Sequence, residues 1–171
     1  MAPLMAKTHG LWLGWPGDAL PGEPEGRARL MREWEEEHGY VAVEIPAKIS
    51  RSFYEGYAND TLWPLLHGFP TRVVFAPDSW VAYRDANQRF ADAVVSRAQK
   101  GDLIWAHDYQ LMLVPQMVRE QSPDSRIGFF LHIPFPSSEV FRILPEREEL
   151  LRGLLGACLL YTSPSPRDGT K

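Results

Sequence analysis

The chain has 171 residues, 44% hydrophobic and 23% charged, a length and balance that suit one globular domain and exclude a disordered or fibrous chain. Its formal net charge is −4 and no long basic run offsets it, which argues against a nucleic-acid partner while allowing a local basic pocket for one phosphate. No apolar run reaches the ~18 residues of a membrane span, the opening MAPLMAKTHG lacks the apolar centre of a signal peptide, and a lone cysteine, Cys158, fits a reducing compartment, here the cytoplasm.

In chain order, residues 10–15, GLWLGW, are short, apolar and aromatic and predict a buried strand. The Pro/Gly-rich residues 16–26 predict a loop, and the charged residues 23–38 a surface helix stopped by Gly39. YVAVEIP is a second β-branched run, closed by Pro46. Ser50 is placed to cap a short helix carrying Phe53, Tyr54 and Tyr57, and Asn59 or Asp60 another carrying Leu62, Trp63, Leu65 and Leu66. A long helix starts at Asp78, where Trp80, Tyr83, Ala86, Phe90 and Val94 recur at spacings of three and four and form one apolar stripe. DLIWAH predicts a strand, residues 111–119 a helix, RIGFFLHI a strand, and residues 139–144 and 147–155 two helical pieces separated by Pro145. This strand–helix–strand–helix order is a βαβ pattern and predicts an α/β domain with a Rossmann-like parallel sheet and helices on both faces.

In such a sheet, ligands bind outside the carboxyl ends of the strands. Two histidine-bearing stretches fall there: LIWA runs into His107 and Asp108, and IGFFL runs into His132. A carboxylate at that rim can accept hydrogen bonds from sugar hydroxyls or hold a cation, and a histidine can donate to a hydroxyl or a developing charge. Plainer readings stand beside these. Asp108 can cap the helix that begins near Tyr109, His132 can be a hydrogen-bonded turn residue, His107 can be satisfied locally, and Tyr54 and Trp63 can be core aromatics. No GxGxxG, GxxxxGK[ST] or GxSxG motif is present, and no HxxxH or CxxC accompanies His107, so nucleotide-phosphate loops, a nucleophile elbow and a zinc site are not predicted.

Taken together and in order, GLWLGWPG, YEGYANDTLWPLLH, WAHDYQLMLVP and RIGFFLHIPFPSSEVFRILPEREELLRGLLGA closely resemble the trehalose-6-phosphate synthases, retaining glycosyltransferases of the GT-B fold. The resemblance runs nearly continuously from about residue 11 to 157 and implies the incomplete N-terminal, acceptor-side half of such an enzyme. It implies transfer of glucose from UDP-glucose to glucose 6-phosphate, with those two small molecules as partners and no cofactor, metal, membrane or nucleic acid; a homo-oligomeric parent is compatible with it. By matching position, it gives Tyr54 and Trp63 to the acceptor pocket, with Tyr54 near the phosphate. Asp108 then meets acceptor hydroxyls and His132 lies beside the donor glucose, these last two being the catalytic pair. Gly14 and Gly17 fall in a structural glycine stretch.

The family also carries a glycine-rich phosphate loop ahead of GLWLGWPG and, beyond LLGA, a second domain that holds UDP. Only MAPLMAKTH precedes the first motif, and CLLYTSPSPRDGTK follows the last. Residues 1–157 are therefore expected to be a partial domain that is inactive alone, with an exposed interdomain face and sheet edge prone to aggregation. Residues 158–171 are expected to be an unstructured tail foreign to the family, leaving Cys158 without function. A glucosylglycerol-phosphate synthase fragment and a non-catalytic regulatory module of the same fold are the alternatives.

Overall fold

A computed structural model describes Thr8, residues 10–17 and residues 20–162. Two compact units divide the chain, Met1–Ile45 and Pro46–Lys171.

In the first unit, strand β1 (Trp12–Gly14) and strand β2 (Tyr40–Ala42) pair in parallel, Trp12 opposite Tyr40 and Gly14 opposite Ala42. Helix α1 (Pro24–His38) makes the crossover. It starts with Pro24, whose missing N–H costs nothing in a first turn. It ends at Gly39, whose φ of 63° lets its N–H turn back to the carbonyls of Glu35 and Trp34. That turn also presents the Gly39 carbonyl to Trp12 N–H at 2.8 Å, so one left-handed residue both stops the helix and starts the strand pair. The expectation of a buried GLWLGW strand needs correction. Only three residues pair, and Leu11 and Trp12 stay about 40% exposed, because β1 has a single hydrogen-bonded neighbour.

The second unit holds a three-stranded parallel sheet in the order β3 (Leu103–His107), β4 (Arg126–Leu131), β5 (Leu159–Thr162). The third strand corrects the expectation that the chain is unstructured from Cys158: Phe130 pairs with Tyr161 and Leu131 with Thr162. The physical reason is ordinary. LLYT is a four-residue apolar and β-prone run, and Cys158 N–H, 2.7 Å from the Ile127 carbonyl, leads it into register. Residues 163–171 lie outside the described residues.

The two short capped helices predicted between residues 50 and 66 form one continuous helical run instead. Helix α2 (Ala47–Arg51) passes into a π-helical stretch, Ser52–Leu62, and then helix α3 (Trp63–Leu66). Trp63 N–H reaches back five residues to the Ala58 carbonyl, the signature of π geometry. No side chain caps any of the three segments, and Ser50 Oγ donates to the Ala47 carbonyl. Pro64 explains one feature of this run. With no N–H to offer, it leaves the Asp60 carbonyl available, and Val74 N–H takes it at 2.9 Å. The run buries Phe53, Tyr57, Ala58, Thr61 and Leu62 against helix α4 (Pro77–Val95), with Tyr57 and Tyr83 rings 4.8 Å apart.

Helix α4 carries the predicted stripe: Tyr83, Ala86 and Phe90 are buried, with Ala82, Asn87 and Ala91 beside them. Asn87 is a fully buried polar residue inside that stripe. Its amide donates to the carbonyls of Tyr83 (2.9 Å) and Gln110 (3.0 Å), and its oxygen accepts from Leu113 N–H (3.1 Å). One turn earlier, the Tyr83 hydroxyl donates to the Tyr109 carbonyl (2.6 Å) and accepts from Met112 N–H (3.2 Å). These two side chains satisfy the backbone of a 3₁₀ turn (Tyr109–Leu111) that leaves β3 and leads into helix α5 (Val114–Gln121). Burial holds the Tyr83 phenol far above its ordinary titration range, so it stays a donor.

After the short helix α6 (Ser138–Phe141), helix α7 (Arg147–Leu155) packs on α5. A Cβ at Gly153 would lie 2.8 Å from Leu113 Cα and collide with the Met112 carbonyl oxygen, and one at Gly156 would collide with the 115–116 backbone; the approach needs both glycines. Among the described residues, no helix is long and apolar enough to cross a membrane.

Asn87→Ala leaves the Gln110 carbonyl and the Leu113 amide without their side-chain partner and is expected to cost on the order of 2–4 kcal/mol, read as a lower midpoint in urea unfolding. Gly153→Val forces α7 off the 112–113 backbone and is expected to cost at least ~2 kcal/mol by the same measurement.

Candidate active site

The sheet register gathers the site. Along β3, side chains alternate between faces: Ala106 is buried, whereas Trp105 is 49% exposed and His107 half-buried. His107 pairs with Phe130 across the β3–β4 ladder, so both lie on the face opposite buried Ala106 and Phe129. The ladder closes with Asp108 N–H donating to the Phe130 carbonyl at 2.8 Å. Two residues on, His132 leaves the end of β4. The two strand ends thus stand side by side, and Asp108 and His132 open at one rim.

Asp108 has φ 68° and ψ 172°, and no other non-glycine residue among those described has a positive φ. This is a conformation that suits glycine and costs an ordinary side chain ~1–3 kcal/mol. The surroundings enforce it. The Phe130 bond fixes its N–H, the Tyr83–Asn87 brace fixes the next five residues, and its own Oδ1 accepts from Tyr109 N–H at 3.0 Å. The capping contact allowed by the sequence is therefore present, yet capping needs no strained backbone. A glycine would adopt this backbone without strain but would lose the cap to Tyr109 N–H.

Beside it, His107 Nδ1 and His132 Nε2 are 3.2 Å apart, with the rings nearly parallel at 19° and their centroids 5.5 Å apart. Phe130 lies under His132 at 4.5 Å, and Trp105 stacks beside His107 at 6.2 Å. Burial, and then the neighbouring His132, hold the His107 pKa below the ordinary imidazole value of 6.5, against the opposing pull of Asp108. His132 is exposed.

The π-helical stretch is tied to the strand-end turn. Tyr109 donates its hydroxyl to Asn59 Oδ1 at 3.1 Å, which ties the strand-end turn to the helix. Its phenol is pushed up to about 12, first by burial, then by Asp108 and by Tyr54. Tyr54 is 42% exposed. Trp63, 40% exposed, has its ring contacts with His67 (4.2 Å) and Phe69 (6.5 Å), with Arg72 above Phe69. The structure therefore sets Asp108 and His132 at neighbouring strand ends, with Tyr54 and Trp63 exposed on the helical run that Tyr109 meets through Asn59, Trp63 in an aromatic group of its own.

Sequence reasoning passed over Asn87 and the partner role of Asn59. A polar residue inside an apolar helical stripe was the available signal for the first; the second had none. A hollow of about 450 Å³ between α4, α5 and α7, lined by Trp80, Arg84, Leu113, Met117 and Arg152 among others, shares no residue with the rim. Among the described residues, no group of acidic, histidine or cysteine side chains could hold a metal ion. A hydroxyl-rich ligand suits this set. Asp108 can accept from hydroxyls, the imidazoles can donate or accept, and the exposed aromatic rings can cover a sugar's CH face.

The sequence model of glycosyltransferase family 20 matches residues 1–161, a span that includes β5 as far as Tyr161. An alpha,alpha-trehalose-phosphate synthase [UDP-forming] of Emericella nidulans is 48% identical over 166 residues, and one of Aspergillus fumigatus is 46% identical over the same length; each alignment covers 94% of this chain and 32% of the relative. Among solved structures, an alpha,alpha-trehalose-phosphate synthase (UDP-forming) from Burkholderia vietnamiensis superposes with a TM-score of 0.77 at 29% identity, covering 92% of this chain and 35% of the other. One from Burkholderia xenovorans in complex with glucose-6-phosphate gives a TM-score of 0.76 at 30% identity, over 92% and 34%. The chain spans about a third of the length of these relatives. It belongs to glycosyltransferase family 20 and has the α/β fold of the N-terminal portion of the trehalose-phosphate synthases.

Proposed function

We propose that the protein to which this chain corresponds moves glucose from UDP-glucose to glucose 6-phosphate, giving trehalose 6-phosphate and UDP, and that these residues form the acceptor side of the site. The observation that carries the reading is Asp108, a carboxylate kept in a backbone conformation that glycine would adopt without strain and set at the strand-end rim beside the histidine pair. Strain of this kind persists where function requires it. Support also comes from the relatives, which are named as UDP-forming synthases, one of them solved with glucose-6-phosphate.

In this reading, Asp108 orients acceptor hydroxyls and Tyr54 and Trp63 shape the acceptor pocket, with Tyr54 near the phosphate. His132 lies beside the donor glucose. Transfer breaks the bond between the anomeric carbon and the diphosphate and forms one to an acceptor hydroxyl, whose proton leaves with the departing UDP. The oxocarbenium-like state between the two gains from oriented donors and a dry site more than from a strong base. No activated nucleophile is then required. The setting is cytoplasmic. Clamping of the diphosphate belongs to the part of the relatives beyond the third represented by this chain, so these 171 residues bind acceptor without turning over.

Two measurements test this. Glucose 6-phosphate titrated into the labelled chain is expected to shift Asp108-region resonances, and both Asp108→Ala and Asp108→Gly are expected to weaken binding by about tenfold or more. The glycine variant should nevertheless be more stable than the alanine variant by on the order of 1 kcal/mol, since only it relieves the backbone. Undiminished binding in both variants would remove Asp108 from the pocket. Separately, the purified 171-residue chain supplied with both substrates is expected to release no UDP in a coupled assay.

A further inference from the structure

His107 is not among the residues assigned a part in handling sugar, yet it is bonded to one that is. We infer that His107 is a positioning residue that selects the tautomer, and so the donor or acceptor character, of His132. The inference deepens the sugar-site reading and, for its functional meaning, rests on it.

The geometry is specific about which nitrogens meet: Nδ1 of His107 and Nε2 of His132, 3.2 Å apart. A neutral imidazole carries one proton, on one nitrogen or the other, so a bond between these two atoms admits two arrangements. If His107 donates, it is protonated at Nδ1. His132 then accepts at Nε2 and carries its own proton at Nδ1. If His132 donates from Nε2, His107 accepts at Nδ1 and carries its proton at Nε2. Either way, the two rings share one tautomer, and the state of one fixes that of the other. In the first arrangement Nδ1 of His132 is a donor, suited to a hydroxyl oxygen or a departing phosphate oxygen. In the second it is an acceptor. The hydrogen bond made by one ring nitrogen commonly sets the role of the other; here the setting group is a second imidazole.

Three features hold His107 to this task. Its backbone is fixed by the pairing with Phe130. Its ring is flanked by Trp105 and Phe130, at 6.2 and 6.3 Å. Burial favours its neutral form, the form that can accept as well as donate.

The test uses the 171-residue chain, labelled with ¹⁵N, without sugar, at a pH above 7.5 where free imidazole is neutral. Long-range ¹H–¹⁵N spectra report which ring nitrogen is protonated. The expected result is a single tautomer at each ring, the same at both. Opposite tautomers, or rapid averaging at both rings, would overturn the inference. In His107→Phe, His132 is expected to lose its single tautomer and average between the two; a His132 signal unchanged in that variant would also overturn it. His132→Phe provides the reciprocal reading at His107, so that misfolding of one variant still leaves a decision. Because no sugar is present, the pairing stands or falls apart from the acceptor-binding experiment.

Discussion

The bond from Asp108 N–H to the Phe130 carbonyl holds the site together. It is the last rung of the β3–β4 ladder, and it fixes the register in which the two strands end. Side chains along a strand alternate in direction, so a slip of one residue would carry His107 to the helix-covered face and part it from His132. The same rung holds Asp108 in its unusual conformation, and from there the chain enters the turn that Tyr83 and Asn87 brace. A single backbone contact thereby sets the position of an imidazole pair, a carboxylate and a helix entry.

Around that rung, the unit is built so that helices stabilise a loop. Asn87 and Tyr83 are polar groups on the buried side of α4, and each bonds the backbone of residues 109–113 twice, Asn87 bonding the Tyr83 carbonyl as well. Buried polar groups of this kind stabilise only when fully satisfied, and these are. Gly153 and Gly156 bring α7 and its end against the backbone of residues 112–113 and 115–116. The strand-end turn and the helix entry after it are thus held by α4 and α7, which is how a strained Asp108 can persist at a rim open to solvent.

Much of this was legible in the residues, and the parts that were not have physical reasons. β3 and β4 announce themselves as short apolar runs and α4 through its three-to-four spacing, and α7 spans the predicted residues 147–155. The rule that ligands gather at strand ends pointed to Asp108 and His132 before any coordinates. The contact between His107 and His132 was not readable, because periodicity assigns residues to faces but says nothing of which ring nitrogens meet. The π-helical stretch has no period of its own in sequence, and the polar residues at 50, 59 and 60 resembled helix starts. Strand β5 was hidden by the Pro/Ser/Thr-rich residues that follow it, whose composition dominated the reading of the four apolar residues before them.

The π-helical stretch has a consequence for how this site tolerates change. Each turn there closes over one residue more than an α-turn, so Tyr54 and Trp63 keep their facing only for a fixed count of residues between them. Losing one residue from 55–62 would let the run relax toward α geometry while rotating everything beyond it by about 100°. Exchange of an exposed side chain along this run is therefore a mild perturbation, whereas a change of length is a severe one. The facing of its exposed aromatic residues is indexed by number more than by composition.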